Sequence, residues 1–268
     1  MLVQWIKYLT RRAAPELRAL GYLRESIAIE ARWRRCHAAW EPHLIQSQKA
    51  VGEAIGRARR HRTAVILGSG LLLDVPLPAL ARAFERVVLV DALHPPRSRR
   101  RARAYANVEL LAADVTGTLA SLHRLDPSRT FAAPQPGAPP LLEDPAVDLV
   151  VSLNLLSQLP VLPVAYLDRK WGAVAQSAIA AFAQSLIAHH LDMLARCSAA
   201  TLLVSDVERR LVAPDGAVIE RHSTLAEVAP PKAARSWTWQ IAPRGELDSS
   251  HAEERLVIAA YDLARVGP

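Results

Sequence analysis

The chain has 268 residues, a hydrophobic fraction of 51% and a formal net charge of +7. This length and composition exclude a disordered chain and allow one large domain, or two small ones, with a substantial core. Its two cysteines, Cys36 and Cys197, are far apart, which excludes a CxxC metal pair or a disulfide framework and favours a cytoplasmic location.

The basic charge is concentrated at one end. Residues 1–62 hold 13 Lys/Arg against 5 Asp/Glu, whereas the rest of the chain holds 20 against 21. We interpret these basic residues as a solvated helical face. The alternative is that they form a surface that binds an anionic substrate, an acidic partner or RNA. Lys7 and the arginines after it interrupt any signal-peptide run, and Gln184 interrupts the longest apolar run, so we expect neither export nor a membrane span.

The N-terminal segment from Leu17 to Arg60 has the apolar spacing of a helix. One face gathers Ile29, Trp33, Cys36, Trp40 and Leu44. Pro42 is expected to kink or divide it. Residues 1–61 therefore form a predicted helical extension, followed by a second region from 62 to 268.

Three predicted strands then alternate with helices. The strands are 64–67, 87–90 and 108–111, and the helices between them are 78–85 and 97–106. The first strand ends at Gly68-Ser69-Gly70, the second at Asp91, and the third near Asp114.

The second half continues this alternation after an interruption. Residues 126–146 are rich in proline and predict a surface insertion. The remaining elements are a strand at 147–153, a helix at 174–196, a strand at 201–205 and two strands at 237–241 and 255–261. Strands alternating with helices indicate an α/β fold with a mainly parallel, Rossmann-like sheet covered by helices on both faces.

Polar residues at the carboxyl ends of such strands are the candidates for ligand binding. Gly68 and Gly70 let a ligand approach the main chain, and Ser69 adds a hydroxyl, although a tight turn alone would also explain them. Asp91 is placed to accept both hydroxyls of a ribose. Asp114 is placed near an adenine amine, with helix capping as the alternative.

The motif pattern also excludes some nucleotides. Leu73 occupies the third glycine position of GxGxxG, which disfavours NAD, and no GxxxxGK[ST] loop supports ATP chemistry. No histidine, cysteine or carboxylate cluster has metal-ligand spacing, so no metal is expected. A ligand with a ribose and a base but no phosphates fits this pattern best.

The order of motifs resembles a class I S-adenosylmethionine-dependent methyltransferase over residues 62–263, through AVILGSG, VVLVDALHP, NVELLAADVTG and VDLVVSLNLLSQLP. The resemblance implies a seven-stranded sheet whose last strand is antiparallel. It also implies that Gly68, Ser69 and Gly70 wrap the methionine portion of S-adenosylmethionine, with Asp91 at the ribose and Asp114 by the adenine. Asn154 would close the site beneath the fourth strand.

The sequence departs from the family at two positions. Ile66 stands where an acidic residue is common, and Leu72 replaces a further glycine. The ammonium of the cofactor thereby loses its usual anchor, for which Asp74 is a possible substitute, with helix capping as the alternative.

The resemblance also implies where an acceptor would bind. The N-terminal helices would form a lid, with Trp33 and Trp40 as lining candidates. Methyl transfer works mainly by alignment, so no universal catalytic residue is expected. His94 is the one candidate base, with a turn-capping role as the alternative.

The leading hypothesis is thus a cytoplasmic methyltransferase that acts on a small-molecule acceptor, which the basic N-terminus would allow to be anionic. Three alternatives stay open. One is a non-catalytic regulatory or scaffold protein that has lost cofactor binding, another is an RNA or protein methyltransferase, and a more distant one is a nicotinamide-dependent oxidoreductase.

Overall fold

The computed structural model describes residues 8, 11, 13–247 and 250–263. Its strands are β1 (Thr63–Leu67), β2 (Arg86–Asp91), β3 (Val108–Ala112), β4 (Val147–Leu153), β5 (Ala200–Val212), β6 (Val218–Ser223), β7 (Arg235–Ala242) and β8 (Ala252–Tyr261). Its α-helices are α1 (Pro15–Ala19), α2 (Tyr22–Arg57), α3 (Leu77–Ala83), α4 (Pro96–Ala102), α5 (Leu119–Arg124), α6 (Val161–Trp171) and α7 (Gln176–Arg196). Helices α5 and α6 had not been predicted from the sequence.

The strands form one sheet in the order β3-β2-β1-β4-β5-β8-β7. Strands β1 to β5 are parallel, and β8 runs antiparallel to both of its neighbours, β5 and β7. The predicted Rossmann-like, mainly parallel sheet with an antiparallel last strand is therefore confirmed. Because the chain reverses its direction of progress between β1 and β4, the carboxyl ends of these two strands border the switch point at which such sheets bind ligands.

An eighth strand was missed by the sequence analysis. Strand β5 continues well beyond its predicted end at Ser205, and β6 pairs antiparallel with this extension. Every residue of β6 is exposed. A strand with no buried face has no alternation of apolar and polar residues, which was the signal used to predict strands.

Two apolar layers cover the sheet. On one face, α5, α6 and α7 pack against β1, β2, β4 and β5 through residues such as Leu122, Leu167 and Phe182. On the other face, the second half of α2 packs with α3 through residues such as Val51 and Leu80. Strand β1 is buried on both sides, which explains its uninterrupted apolar sequence.

Helix α7 is long and apolar enough, by length and composition alone, to cross a membrane. In this fold it lies against the sheet, and eight of its residues, Phe182 and Leu186 among them, are buried. Its apolar character is that of a core helix.

Helix α2 begins after Gly21, whose φ is +96°. Helix α2 then continues through Pro42, so the predicted break at that residue is wrong. The backbone leaves helical values at Cys36 instead, with φ −107° and ψ 16°. Cys36 lies six residues before Pro42, beyond the carbonyl four residues back that a proline ring crowds.

Candidate functional site

A cavity of about 310 Å³ lies at the carboxyl ends of β1, β2 and β4. This is the switch point of the sheet, and the volume is near the lower end of the range for small-molecule sites. Five of the residues predicted as a cofactor site line it together: Gly68, Gly70, Asp91, Asp114 and Asn154. We call these five the sheet wall.

Gly68 starts the loop after β1 and has a φ of +81°. A Cβ atom at this position would lie 2.8 Å from the carbonyl oxygen of Leu153 and 2.8 Å from the Cβ of Leu155. The loop is fixed to β2, because the N–H groups of Gly68 and Ser69 both donate to the carbonyl of Val90. Only glycine fits this close approach of β1 to β4.

Ser69 lies apart from the rest of its motif. Its side chain is buried and is not part of the cavity wall. Its hydroxyl has no hydrogen-bond partner within the described part of the chain. The expected contact between this hydroxyl and a cofactor therefore has no support in the cavity geometry.

Asp91 ends β2 and faces the glycine loop. Its Oδ2 accepts the N–H of Gly70 at 2.7 Å, and its Oδ1 accepts the N–H of Leu93 at 3.2 Å. Burial raises the pKa of Asp91, while these two N–H groups act in the opposite direction. The carboxylate is thus held rigidly against the loop, with one edge at the cavity.

Asp114 combines the two roles considered for it. Its Oδ1 accepts the N–H and the hydroxyl of Thr116 at 2.8 and 2.6 Å, and its Oδ2 accepts the N–H of Leu119 at 2.8 Å. The last bond caps the start of α5. Asp114 also lines the cavity, so capping and ligand contact are compatible here.

Asn154 follows β4 in the left-handed region, with φ +49°. Its N–H donates to Val204, and its Nδ2 donates to Oδ2 of Asp74 at 2.7 Å. Its Oδ1 is buried and has no hydrogen-bond partner in the described structure. A buried acceptor without a partner costs free energy, so this atom marks a place where a ligand donor would be stabilised.

Asp74 does not line the cavity but supports Asn154 from behind. Burial raises the pKa of Asp74 to about 6. Its Oδ2 accepts from Asn154, and the residue at the N-cap of α3 is Pro76, so the predicted capping role of Asp74 is not what the described hydrogen bonds show.

The two positions that depart from the family have different structural consequences. Ile66 is fully buried within β1, so that position is part of the core. Leu72 is also fully buried, and its φ is +59°. The backbone therefore keeps at Leu72 a conformation that favours glycine, although the residue is a leucine.

Neither tryptophan proposed for the acceptor site lines the cavity. Trp40 packs edge-on against Trp239, and its Nε1 donates to the carbonyl of Ile241. Trp33 lies beneath the guanidinium of Arg97. These aromatic residues attach α2 to β7 and α4 instead.

A buried polar contact reinforces this attachment. Trp237 donates from Nε1 to Nδ1 of His43, so the neutral imidazole carries its proton on Nε2, which faces the side-chain amide of Asn154 at 3.2 Å. Burial lowers the pKa of His43 to about 3, so the imidazole is neutral at physiological pH. The second half of α2 is therefore connected to the sheet wall.

His94, the candidate base, is buried outside the cavity. Its Nε2 lies 3.0 Å from the carbonyl oxygen of Leu111. Asp206, the residue after the predicted strand at 201–205, is likewise buried outside the cavity and accepts from Ser157 and Arg255. His190 is hydrogen-bonded to Ser152, and no potential metal cluster occurs among the described residues.

The opposite wall of the cavity is formed by the first turns of α2. Tyr22, Glu25, Ser26 and Ile29 line it, and we call them the helix wall. Their spacing of three, one and three positions gathers them on one helical face. The sequence analysis missed this wall because it followed the apolar face from Ile29 onward, whereas the signal was the polar stripe immediately before it.

The charged side chains of the cavity wall are all acidic among the described residues. Three carboxylates line it, from Glu25, Asp91 and Asp114, and no lysine, arginine or histidine does so in the described part of the chain. Burial raises the pKa of Tyr22, and repulsion from Asp114 and Asp91 raises it further. The phenol is thus a protonated hydrogen-bond donor.

No family model and no curated protein matches this sequence. Solved structures similar to it include 1,6-didemethyltoxoflavin-N1-methyltransferase from Burkholderia thailandensis, with 15% identity over 93% of this chain and 92% of that chain and a TM-score of 0.30. The N-methyltransferase NodS from Bradyrhizobium japonicum WM9 has 12% identity over 80% and 85%, with a TM-score of 0.32. DhpI, in complex with SAH, has 14% identity over 86% and 93%, with a TM-score of 0.35. These comparisons concern the fold, which the strand order already defines.

Proposed function

We propose that this protein is a class I S-adenosylmethionine-dependent methyltransferase that acts on a small molecule. The observation that carries the proposal is the Asp91 carboxylate, which is held against the Gly68–Gly70 loop at the wall of the switch-point cavity. A carboxylate at the end of the second strand is the group that binds ribose hydroxyls in Rossmann-like sheets.

The hydrogen-bonding capacity of Asp91 fits a ribose. A carboxylate has about four acceptor positions. The N–H groups of Gly70 and Leu93 use two of them, and the N–H of Ala92 also acts on this carboxylate. About one position is therefore left for a ribose hydroxyl, and the N–H contacts keep the carboxylate in place before the ligand binds.

The neighbouring residues fit the rest of an adenosyl group. Asp114 already accepts three hydrogen bonds, so about one position is left for an adenine amine. The Oδ1 atom of Asn154 offers an acceptor that has no partner in the described structure. At Gly70 a Cβ would lie no closer than 3.8 Å to its neighbours, so the loop leaves room beside Asp91.

S-adenosylmethionine supplies a methyl group on a sulfonium, which is a good leaving group. The residues of this chain then act by position: the sheet wall orients the cofactor, and apolar side chains such as Leu155 and Leu159 exclude water. With His94 outside the cavity, we assign no general base.

We propose an acceptor of small size. Glu25, Asp91 and Asp114 all line the cavity in which we place the cofactor, so they do not define the charge of the acceptor. We propose the cytoplasm as its location, because Cys36 and Cys197 are both free thiols.

Thermal unfolding with added ligands tests the proposal. A ligand that binds the native state increases the free energy of unfolding, by about 2.7 kcal/mol when its concentration is a hundred times its Kd. The melting temperature rises as a result. We expect S-adenosylmethionine and S-adenosylhomocysteine to raise it, and NAD and NADP not to. The shift should disappear in Asp91→Ala and persist in Asp192→Ala, which changes an exposed residue of α7.

Other outcomes identify the alternatives. If neither sulfur nucleotide binds at millimolar concentration, the non-catalytic alternative replaces the proposal, and the buried Ile66 is then its structural basis. If only NAD or NADP binds, the protein is an oxidoreductase. An unchanged shift in Asp91→Ala would remove Asp91 from the ribose site.

A further inference from the structure

The helix wall presents three polar side chains to the cavity. Tyr22, Glu25 and Ser26 share one face of α2, while Leu23 and Ile27 on the adjacent face are buried in the protein. The helix is thus fixed in rotation by its apolar face, and the polar stripe points toward the cavity rather than toward bulk solvent.

These three side chains lack partners among the residues that the structure describes. The Tyr22 hydroxyl, the Glu25 carboxylate and the Ser26 hydroxyl make no hydrogen bond or ion pair with any other residue that the structure describes. The polar side chains of the sheet wall differ, because Asp91, Asp114 and Asn154 are each held by protein groups. Partly buried polar groups without partners are stabilised when a ligand supplies the missing bonds.

The chemistry of the stripe matches an α-amino acid. Such a group carries an ammonium, which needs an acceptor, and a carboxylate, which needs donors. Glu25 is an acceptor with negative charge, and the hydroxyl of Ser26 is a donor. The methionine end of S-adenosylmethionine has this combination. Tyr22 belongs to the same stripe but lies near Asp114 and Asp91.

The usual provider of the acceptor is missing from this chain. Ile66, at the position of the family's acidic residue, is fully buried in β1. Asp74 lies outside the cavity wall and accepts the amide of Asn154. Asp91 and Asp114 are assigned to the adenosyl portion, so Glu25 is the remaining carboxylate of the described cavity wall.

We propose that Glu25 binds the ammonium of the cofactor's methionine portion and that Ser26 donates to its carboxylate, so that helix α2 replaces the anchor absent from the first motif. This inference rests on the proposed function. It assigns the amino-acid end of the cofactor to Glu25 and Ser26 and the adenosyl end to the sheet wall, near which Tyr22 also lies.

Two probes that differ only at the amino-acid end test the inference. S-adenosylhomocysteine carries the ammonium and the carboxylate, whereas 5′-methylthioadenosine has the same adenosyl group and ends in a methyl thioether. Calorimetric titration of the full chain with both compounds measures the two affinities. Losing a hydrogen bond between charged groups weakens binding by tenfold or more.

We expect Glu25→Gln to weaken S-adenosylhomocysteine by about tenfold or more and to change 5′-methylthioadenosine by less than about twofold. Glu41→Gln, an exposed residue of the same helix, is the matched control and should change neither. The melting temperature of unliganded Glu25→Gln should equal that of the parent, which separates a binding effect from misfolding.

Each other result overturns a defined statement. If Glu25→Gln leaves both affinities unchanged, Glu25 does not bind the cofactor and faces the acceptor instead. If both probes weaken equally, Glu25 acts on the adenosyl end. If the parent protein binds neither probe, the proposed function fails, and the inference fails with it.

Discussion

The two walls of the cavity are built in opposite ways. On the sheet wall, Asp91 and Asp114 accept backbone N–H groups at 2.7 to 3.2 Å, and Gly68 is locked between β1 and β4. On the helix wall, Glu25 and Ser26 have no partner among the described residues. The carboxylates of the sheet wall are held by protein groups without a ligand, whereas Glu25 and Ser26 have no such support among the described residues.

This difference separates stability from recognition. Groups that are paired in the folded protein contribute to the free energy of unfolding whether or not a ligand is present. Groups without partners contribute when a ligand binds. We therefore expect substitutions on the sheet wall to change both stability and affinity, and conservative substitutions on the helix wall to change affinity alone.

The largest effect is expected for Gly68→Ala. The new Cβ would lie 2.8 Å from a main-chain oxygen of β4, and φ is already +81°. Overpacking and a left-handed alanine together should lower the free energy of unfolding by about 3 to 5 kcal/mol. Chemical denaturation measures the loss. Gly56→Ala, in open space near the end of α2, is the control and should stabilise by up to about 1 kcal/mol; equal effects at the two sites would refute the close approach at Gly68.

A pair of substitutions compares the walls directly. Asp114→Ala removes three hydrogen bonds and the cap of α5, which should cost about 2 to 3 kcal/mol. Ser26→Ala removes a hydroxyl with no partner in the described chain and should change stability by less than about 0.5 kcal/mol. Urea denaturation of both variants without ligand measures the contrast, and a comparable loss in Ser26→Ala would show that the helix wall is also paired.

A further effect concerns Asp74, which supports Asn154 behind the sheet wall, and this effect depends on pH. Burial raises the pKa of Asp74 from 3.8 to about 6, so the folded state favours the protonated acid. Its contribution to stability is therefore complete below about pH 4 and is lost as the pH rises through 6. Asp74→Asn cannot ionise, and its stability relative to the parent should increase by about 1 to 2 kcal/mol between pH 4 and pH 7.

Melting curves of the parent and of Asp74→Asn across this pH range measure the difference. Asp148→Asn is a useful comparison, because the guanidinium of Arg62 lowers the pKa of that carboxyl and the dependence should have the opposite sign. A difference between parent and Asp74→Asn that does not vary with pH would mean that Asp74 titrates normally.

The sheet wall could be predicted from sequence because strand ends are marked locally. An apolar run followed by Gly68, and another followed by Asp91, gives both the strand and its ligand edge. The parallel order of β1, β2 and β4 then brings these ends together. Ser69 shows the limit of this reasoning, since the motif did not indicate which way its side chain points.

The helix wall could not be predicted in the same way. Which face of α2 meets the cavity depends on how the helix docks, and docking is decided by distant contacts such as Trp40 with Trp239. The sequence gives the period of a helix but not its rotation about its axis, particularly across the irregular turn at Cys36. The left-handed backbone of Leu72 was likewise hidden, because leucine rarely adopts it.

The docking of α2 has a consequence for how new specificities could arise. Its second half is attached to the sheet by the contact of His43 with Trp237, and its first turns carry Glu25. Each residue of a helix turns the chain by about 100°. Inserting or deleting one residue between these two parts would therefore set the docking of His43 against that of the buried Leu23 and Ile27, so a new set of side chains could enter the cavity only together with a new apolar face. The rotation of helix α2 about its axis therefore decides which of its side chains line the cavity.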